Sequence, residues 1–236
     1  MYPVGRHIGL RNIVTNSMKF IKQGENVSDI TSLNINTMGN RRYLAICEKR
    51  QHDPHAWVSF YDLKNLNAPK YVKSINFSEI AFGNKASKED LQKSGSKQAS
   101  HFSLESSIQN GKRIISFSFS RDNKIVAVLI VDSSGETKAL IYDWVNKHKV
   151  LASYDFTGID VNKISLNQKD WNFVATSGPG HWKVWKIQEN SFKQLPQFQR
   201  VKQDRNFTDH AWLDDDKIVA GTSHGELILL ENYEQK

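Results

Sequence analysis

From Asp29 onward the chain alternates apolar and polar residues in short runs separated by turn residues. "DITSLNIN" sets Ile30, Leu33 and Ile35 among polar neighbours, and "TMGNRR" interrupts it. "YLAICEKR" follows as a mostly apolar run of the kind buried on both faces, and "QHDPHA" is read as a turn with Asp53–Pro54 as its breaker. "WVSFYDLKN" and "YVKSINF" complete the group. Runs of this length, with period-two alternation and turn signals between them, predict four antiparallel strands in a meander.

The pattern then restarts. "RIISFSFS", "IVAVLIVD", "KALIYDWVN" and "KVLASYDF" form a second round, and "VNKISLN", "WNFVATSG", "HWKVWKIQ" and "FKQLP" a third. A fourth reads "FTDHAWLD", "KIVAGTS" and "ELILLEN". One phrase marks the third strand of each round. It ends in Tyr61–Asp62, then Tyr142–Asp143, then Trp185–Lys186, then Leu230–Glu231. Tyr142 and Trp185 are 43 residues apart, and Trp185 and Leu230 are 45 apart. The 81 residues from Tyr61 to Tyr142 contain a long polar segment. Four strands repeated every 40–45 residues or so is the signature of a WD-type propeller blade. Helical repeats of similar period would space apolar residues at i, i+3 and i+4, and these runs do not.

The fold class predicted is therefore all-β: a WD40-type β-propeller of about four blades plus a partial one. In each third strand the large residue is expected to pack on the neighbouring blade. The Asp that follows, at Asp62 and Asp143, is expected to accept hydrogen bonds from turn N–H groups. "HIGLRNI" aligns with a third strand, or at best starts a blade at its second, and "MKFI" with a fourth. The first blade is thus expected to lack its opening strands, and the last its fourth. The expectation is an open arc over residues 1–236, belonging to a longer protein or needing other chains on its ends, because bare blade faces and strand edges are templates for association.

Residues 78–112 break the pattern. Ser, Lys, Gln and Gly dominate there, too polar to build core. The segment reads as a loop insertion at a blade junction, with a short helix at "SKEDLQK" where Ser87 and Asp90 have capping-box-like spacing.

Composition adds limits. Hydrophobic residues make up 39% of the 236, aromatics 11%, with six Trp, enough for a sizeable core. No apolar run is long enough for a membrane span, and the first residues lack the apolar centre of a secretory signal. The single cysteine, Cys47, cannot form an internal disulfide, which fits a reducing compartment. The net charge of +7 suits an acidic partner, but the basic residues are scattered rather than clustered, so no nucleic-acid partner is expected.

Candidate chemistry is thin. "HDPH" (His52 to His55) pairs two histidines in a turn without further ligands, so no metal is expected. "DDD" (Asp214 to Asp216) reads as an exposed turn. Cys47 reads as buried packing, and His210 as a structural histidine in a first strand. "SGPG" (177–180) and "SHG" (223–225) read as tight turns, since no helix follows to make a phosphate cradle. No catalytic residue and no cofactor is expected. A binding or scaffolding module is favoured over an enzyme.

Several phrases resemble the cilia- and flagella-associated WD-repeat family: "YPVG", "NRRYLAICE", "VSFYDL", "FQR", "WLDDDKIVAGTSHG" and "GELILLE", in order along nearly the whole chain. The resemblance implies the N-terminal part of that family's first propeller. It implies a non-catalytic structural protein of the motile ciliary axoneme, helping to dock or regulate inner dynein arms on doublet microtubules. Its partners would be inner dynein arm or regulatory complex subunits within a large assembly. The chain departs from the family in lacking a second propeller and a coiled coil, and in carrying the 78–112 segment. The alternative is a soluble adaptor in trafficking or RNA processing.

Overall fold

The computed structural model describes all residues except 37, 39–41, 67, 83–111, 196–204, 215, 232–233 and 236. Nineteen strands and one short helix are found among the described residues. They form five antiparallel sheets that follow one another along the chain. The first holds β1 (Tyr2–Val4), β2 (His7–Arg11) and β3 (Met18–Ile21). The second holds β4 (Val27–Asn36), β5 (Tyr43–Arg50), β6 (Asp53–Asp62) and β7 (Lys70–Asn76). Helix α1 (Phe77–Phe82) comes next, then β8 (Arg113–Phe119), β9 (Ile125–Val131), β10 (Thr137–Asp143) and β11 (Lys149–Phe156). The fourth sheet is β12 (Lys163–Leu166), β13 (Phe173–Gly178), β14 (His181–Gln188) and β15 (Ser191–Gln194). The fifth is β16 (Phe207–Trp212), β17 (Lys217–Thr222), β18 (Leu227–Glu231) and β19 (Glu234–Gln235). Each is a simple meander, and the first strands β4, β8, β12 and β16 neighbour one another, which sets the sheets radially like blades.

Four apolar clusters join consecutive blades. Ile8 and Ile21 meet Leu44 and Ile46. Val58 and Phe60 meet Phe117, Val128 and Trp144. Leu129 and Ile141 meet Leu166 and Trp185. Trp182 and Val184 meet Phe207 and Ile228. The second and third strands of the inner blades thus bury one row against the preceding blade and the alternate row against the following one.

That alternation shows that the arc is open. Val58, Ala139 and Trp182 occupy one position of the third strand and Phe60, Ile141 and Val184 another. All are 0% exposed because the following blade covers them. In the fifth blade the same positions hold Leu227 and Leu229, which are 80% and 36% exposed. At the other end Tyr2, Val4, Met18 and Phe20 are exposed on the first blade.

The structure narrows one boundary and corrects three others. The first blade has three strands, β1 standing in the second-strand position, as the wider reading of the sequence allowed. The fifth blade does have a fourth strand: β19 pairs Gln235 with Leu230 and Glu234 with Glu231, though its two polar residues give no strand pattern. Asp53–Pro54 does not break the chain. β6 begins there, and a register shift at Lys49/Arg50 leaves Pro54 outside the ladder, where its missing N–H costs nothing. Only Gln51 and His52 turn, with His52 in the left-handed region at φ 58°. Finally, the segment expected to be polar loop from residue 78 begins as α1, which buries Phe77, Ser78 and Ala81 between the second and third blades. The helix expected at 87–93 lies outside the described residues.

The rest of that segment is expected to be dispensable. The Lys112 ammonium lies 5.0 Å from the Phe82 ring centroid, so the two flanks adjoin. Removing 83–111 and joining Phe82 to Lys112 through a short Gly-Ser linker should leave unfolding in urea cooperative. A broad, multi-step transition would mean that the segment supplies core.

Candidate functional site

The repeat positions singled out in the sequence occupy one equivalent place in four blades. Tyr61 pairs with Leu44, Tyr142 with Val126, Trp185 with Val174 and Leu230 with Ile218, each partner being the second residue of its strand. All four point toward the preceding blade. Tyr142, Trp185 and Leu230 are 7%, 3% and 0% exposed, and Tyr61 is half-buried, its hydroxyl 3.4 Å from Gln23 Oε1. Burial raises the pKa of both tyrosines. Asp143 Oδ1 accepts from the backbone N–H groups of Val145 (3.2 Å) and Asn146 (2.8 Å), and Asp62 Oδ1 from that of Lys64 (2.8 Å). These carboxylates close the turn after the third strand. In the later blades Glu231 ends its strand at the equivalent place, whereas Lys186 lies within β14, paired with Phe173 and Lys193.

Trp144, next to this row, was not singled out by sequence reasoning. Its ring stacks on Phe60 at 4.2 Å, its indole N–H donates to the Asn123 carbonyl at 2.7 Å, and the Trp144 backbone carbonyl accepts from Lys73 Nζ at 2.6 Å. Burial pushes the Lys73 pKa down.

His210 sits at the junction of the last two blades. Its Nδ1 lies 2.7 Å from Ser177 Oγ and its Nε2 2.7 Å from Ser165 Oγ, both in the fourth blade. Lys163 and Asp209 form an ion pair beside it. Burial, then the Lys163 charge, lowers its pKa to about 3. A neutral imidazole donates from one nitrogen and accepts at the other, which matches two hydroxyls. With both nitrogens engaged and the ring 3% exposed, the group locks two sheets together rather than facing a substrate. Nearby, Trp185 Nε1 donates to Thr176 Oγ1 at 2.8 Å, and His181 Nε2 lies 2.8 Å from the same oxygen. Burial and the Lys183 charge bring His181 down to about 4.

These histidines set a pH dependence. Folded His210 resists protonation while the unfolded chain takes up a proton below about 6.5, so the unfolded state binds more protons between those values. Stability should be full above pH 6.5 and fall as pH drops toward 3, by up to about 1.4 kcal/mol per pH unit for one group. Urea midpoints at pH 7.5 and 4.5 check this: the drop should be smaller in His210→Gln, and an equal drop would remove His210 as its source.

Sequence reasoning also passed over a charged cluster between the first two blades. Glu48 is 3% exposed and its Oε1 accepts from Arg50 Nε (3.0 Å), Arg50 Nη2 (2.8 Å) and Ser59 Oγ (2.9 Å). The Arg50 guanidinium lies 4.0 Å from the Trp57 ring centroid, and the Trp57 indole donates to Asp53 Oδ2 at 2.7 Å. Glu48 and Arg50 at i and i+2 share a strand face; the run "YLAICEKR" hid them by its apolar start.

The remaining candidates fall as follows. In "HDPH", Asp53 is engaged by Trp57 and by the His55 N–H (2.9 Å), and no group of three His, Cys, Asp or Glu among the described residues could hold a metal. Cys47 is buried and its thiol pKa is pushed far up by burial. Gly180 and Gly225 turn their hairpins at φ 64° and 80°. Asp214 forms an exposed ion pair with Lys169 at 3.2 Å. No helix among the described residues is long and apolar enough to cross a membrane.

No family model matches the chain. It is 28% identical over 238 residues to cilia- and flagella-associated protein 57 of Mus musculus, an alignment covering 100% of this chain and 16% of that protein. Solved structures share the fold. The β-propeller domain of Cps50 (Swd1) from Myceliophteria thermophila superposes with a TM-score of 0.54 at 16% identity, covering 87% of this chain and 54% of that one. A chain of the mitotic checkpoint complex gives 0.58 at 11% identity, covering 98% and 56%. The Dos1 propeller gives 0.53 at 12% identity, covering 94% and 50%. By repeat period, blade geometry and similarity along the whole of this chain, it is an incomplete WD40-type β-propeller resembling the cilia- and flagella-associated WD-repeat family.

Proposed function

We propose that this chain is a non-catalytic scaffold of the motile ciliary axoneme, one that helps to dock or regulate inner dynein arms on doublet microtubules. The similarity to cilia- and flagella-associated protein 57 along all of this chain carries the reading. The chain spans 16% of that relative's length, so the other regions of such a protein would share the task. The blades supply rims and faces for protein partners, and the buried His210 is engaged in joining two sheets. Its partners on this reading are dynein-arm or regulatory subunits, not nucleic acid or membrane.

The test is fractionation of cilia from cells expressing the tagged protein. It should remain with the axoneme through detergent extraction and a high-salt wash, and its loss should lower the inner dynein arm content. Recovery in the soluble cell body fraction would overturn the reading in favour of an adaptor in trafficking or RNA processing.

A further inference from the structure

A groove of about 520 Å³ lies between the β2–β3 turn of the first blade and the β6–β7 turn of the second, lined by Leu10, Arg11, Asn12, Ile13, Lys19 and Leu66 among others. The first turn is pinned from within. Asn12 Oδ1 accepts from the N–H groups of Val14 (2.9 Å) and Thr15 (3.1 Å), and the Asn12 N–H donates to the Ser17 carbonyl at 2.9 Å. This frame holds two β-branched aliphatic side chains in water: Ile13 is 90% exposed and Val14 88%. Leu66 across the groove is 49% exposed. Such residues lose nothing by being polar in an isolated turn, so a fixed apolar tip opposite an apolar wall suits a partner side chain.

The charge beside it has one sign. Arg11 and Lys19 line the groove, and no carboxylate does among the described residues. Arg11 donates from Nε (3.0 Å) and Nη2 (2.6 Å) to Asn16 Oδ1, a neutral acceptor that aims the guanidinium without cancelling its charge and leaves Nη1 for another oxygen. A planar guanidinium held in this way is prepared for a carboxylate.

We infer that this groove docks a short acidic segment of a partner protein that carries an aliphatic side chain such as leucine. The carboxylates meet Arg11, and the aliphatic group inserts between Ile13 and Leu66. The apolar walls, with no aromatic side chain for a base to stack on among the residues named, favour a peptide over a single-stranded nucleic acid. The inference is independent of where in the cell the protein works.

Surface plasmon resonance on the sparsely immobilised full chain tests it, with four probes: a Glu/Leu octapeptide, a Lys/Leu octapeptide, a Glu/Ser octapeptide and oligouridine. The Glu/Leu peptide should bind, the Lys/Leu and Glu/Ser peptides at least about tenfold more weakly, since loss of one close charge pair or apolar contact is worth about that much. Arg11→Glu and Ile13→Ser should each weaken the Glu/Leu peptide by about tenfold, and Arg11→Lys by less. Both sites are exposed, and unchanged urea midpoints would show that the variants fold. The inference is overturned if the Glu/Leu peptide does not bind, if either variant leaves its binding unchanged, or if oligouridine binds as tightly.

Discussion

Replacing Trp185 with alanine is expected to destabilise the protein by about 3–5 kcal/mol, the range for deleting a buried large aromatic side chain. The indole fills the junction between the third and fourth blades, with the Tyr154 ring 4.8 Å away and those of Phe156 and Phe192 at 6.1 and 6.0 Å. Its N–H also donates to Thr176 Oγ1, an oxygen shared with His181, so the truncation removes a buried hydrogen bond as well as apolar volume. Trp185→Phe should recover most of the loss, because the ring volume is largely kept. Pulse proteolysis across a urea series reads these values at low protein concentration, where association is weak. A loss below about 1 kcal/mol for the alanine variant would show that the junction does not depend on this row.

Arg50→Ala is expected to cost a similar 3–5 kcal/mol, for an electrostatic reason. Glu48 is 3% exposed and depends on the guanidinium for two of its three hydrogen bonds. Without Arg50 its charge is buried and uncompensated. Arg50→Ala combined with Glu48→Gln should therefore be markedly more stable than Arg50→Ala alone. If the double variant is no better, the cost lies in the lost stacking on Trp57, not in the stranded carboxylate.

The architecture was legible because the repeat carries it. Tyr61, Tyr142, Trp185 and Leu230 each pair with the second residue of the preceding strand, so the register read from the sequence recurs in the backbone. Asp143 could be placed because its role is local: its two hydrogen bonds run to residues two and three positions on. The unseen features depend on distant partners. Ser165 and Ser177 gain meaning only when the next blade brings His210 between them, and Glu48 only when a neighbouring blade removes water from it. Helix α1 was hidden because "FSEIAF" is too short to show a helical period, and its Phe77 and Ala81 are apolar on the side that meets the second and third blades. The groove beside Arg11 was hidden for the same reason, since Leu66 is distant in sequence and adjacent in space.

The open arc has a direct consequence in solution. Leu227 and Leu229 at one end are exposed at positions that inner blades bury, and Tyr2, Val4, Met18 and Phe20 are exposed at the other end. Burying such surface is worth roughly 25 cal/mol per Å², and an uncovered blade offers strand edges besides. Size-exclusion chromatography with light scattering on residues 1–236 alone is the most direct measurement. Oligomers or aggregates are expected, reduced by Leu227→Lys with Leu229→Lys. A sharp, thermally stable monomer at the chain's own 27.1 kDa would contradict the open arc.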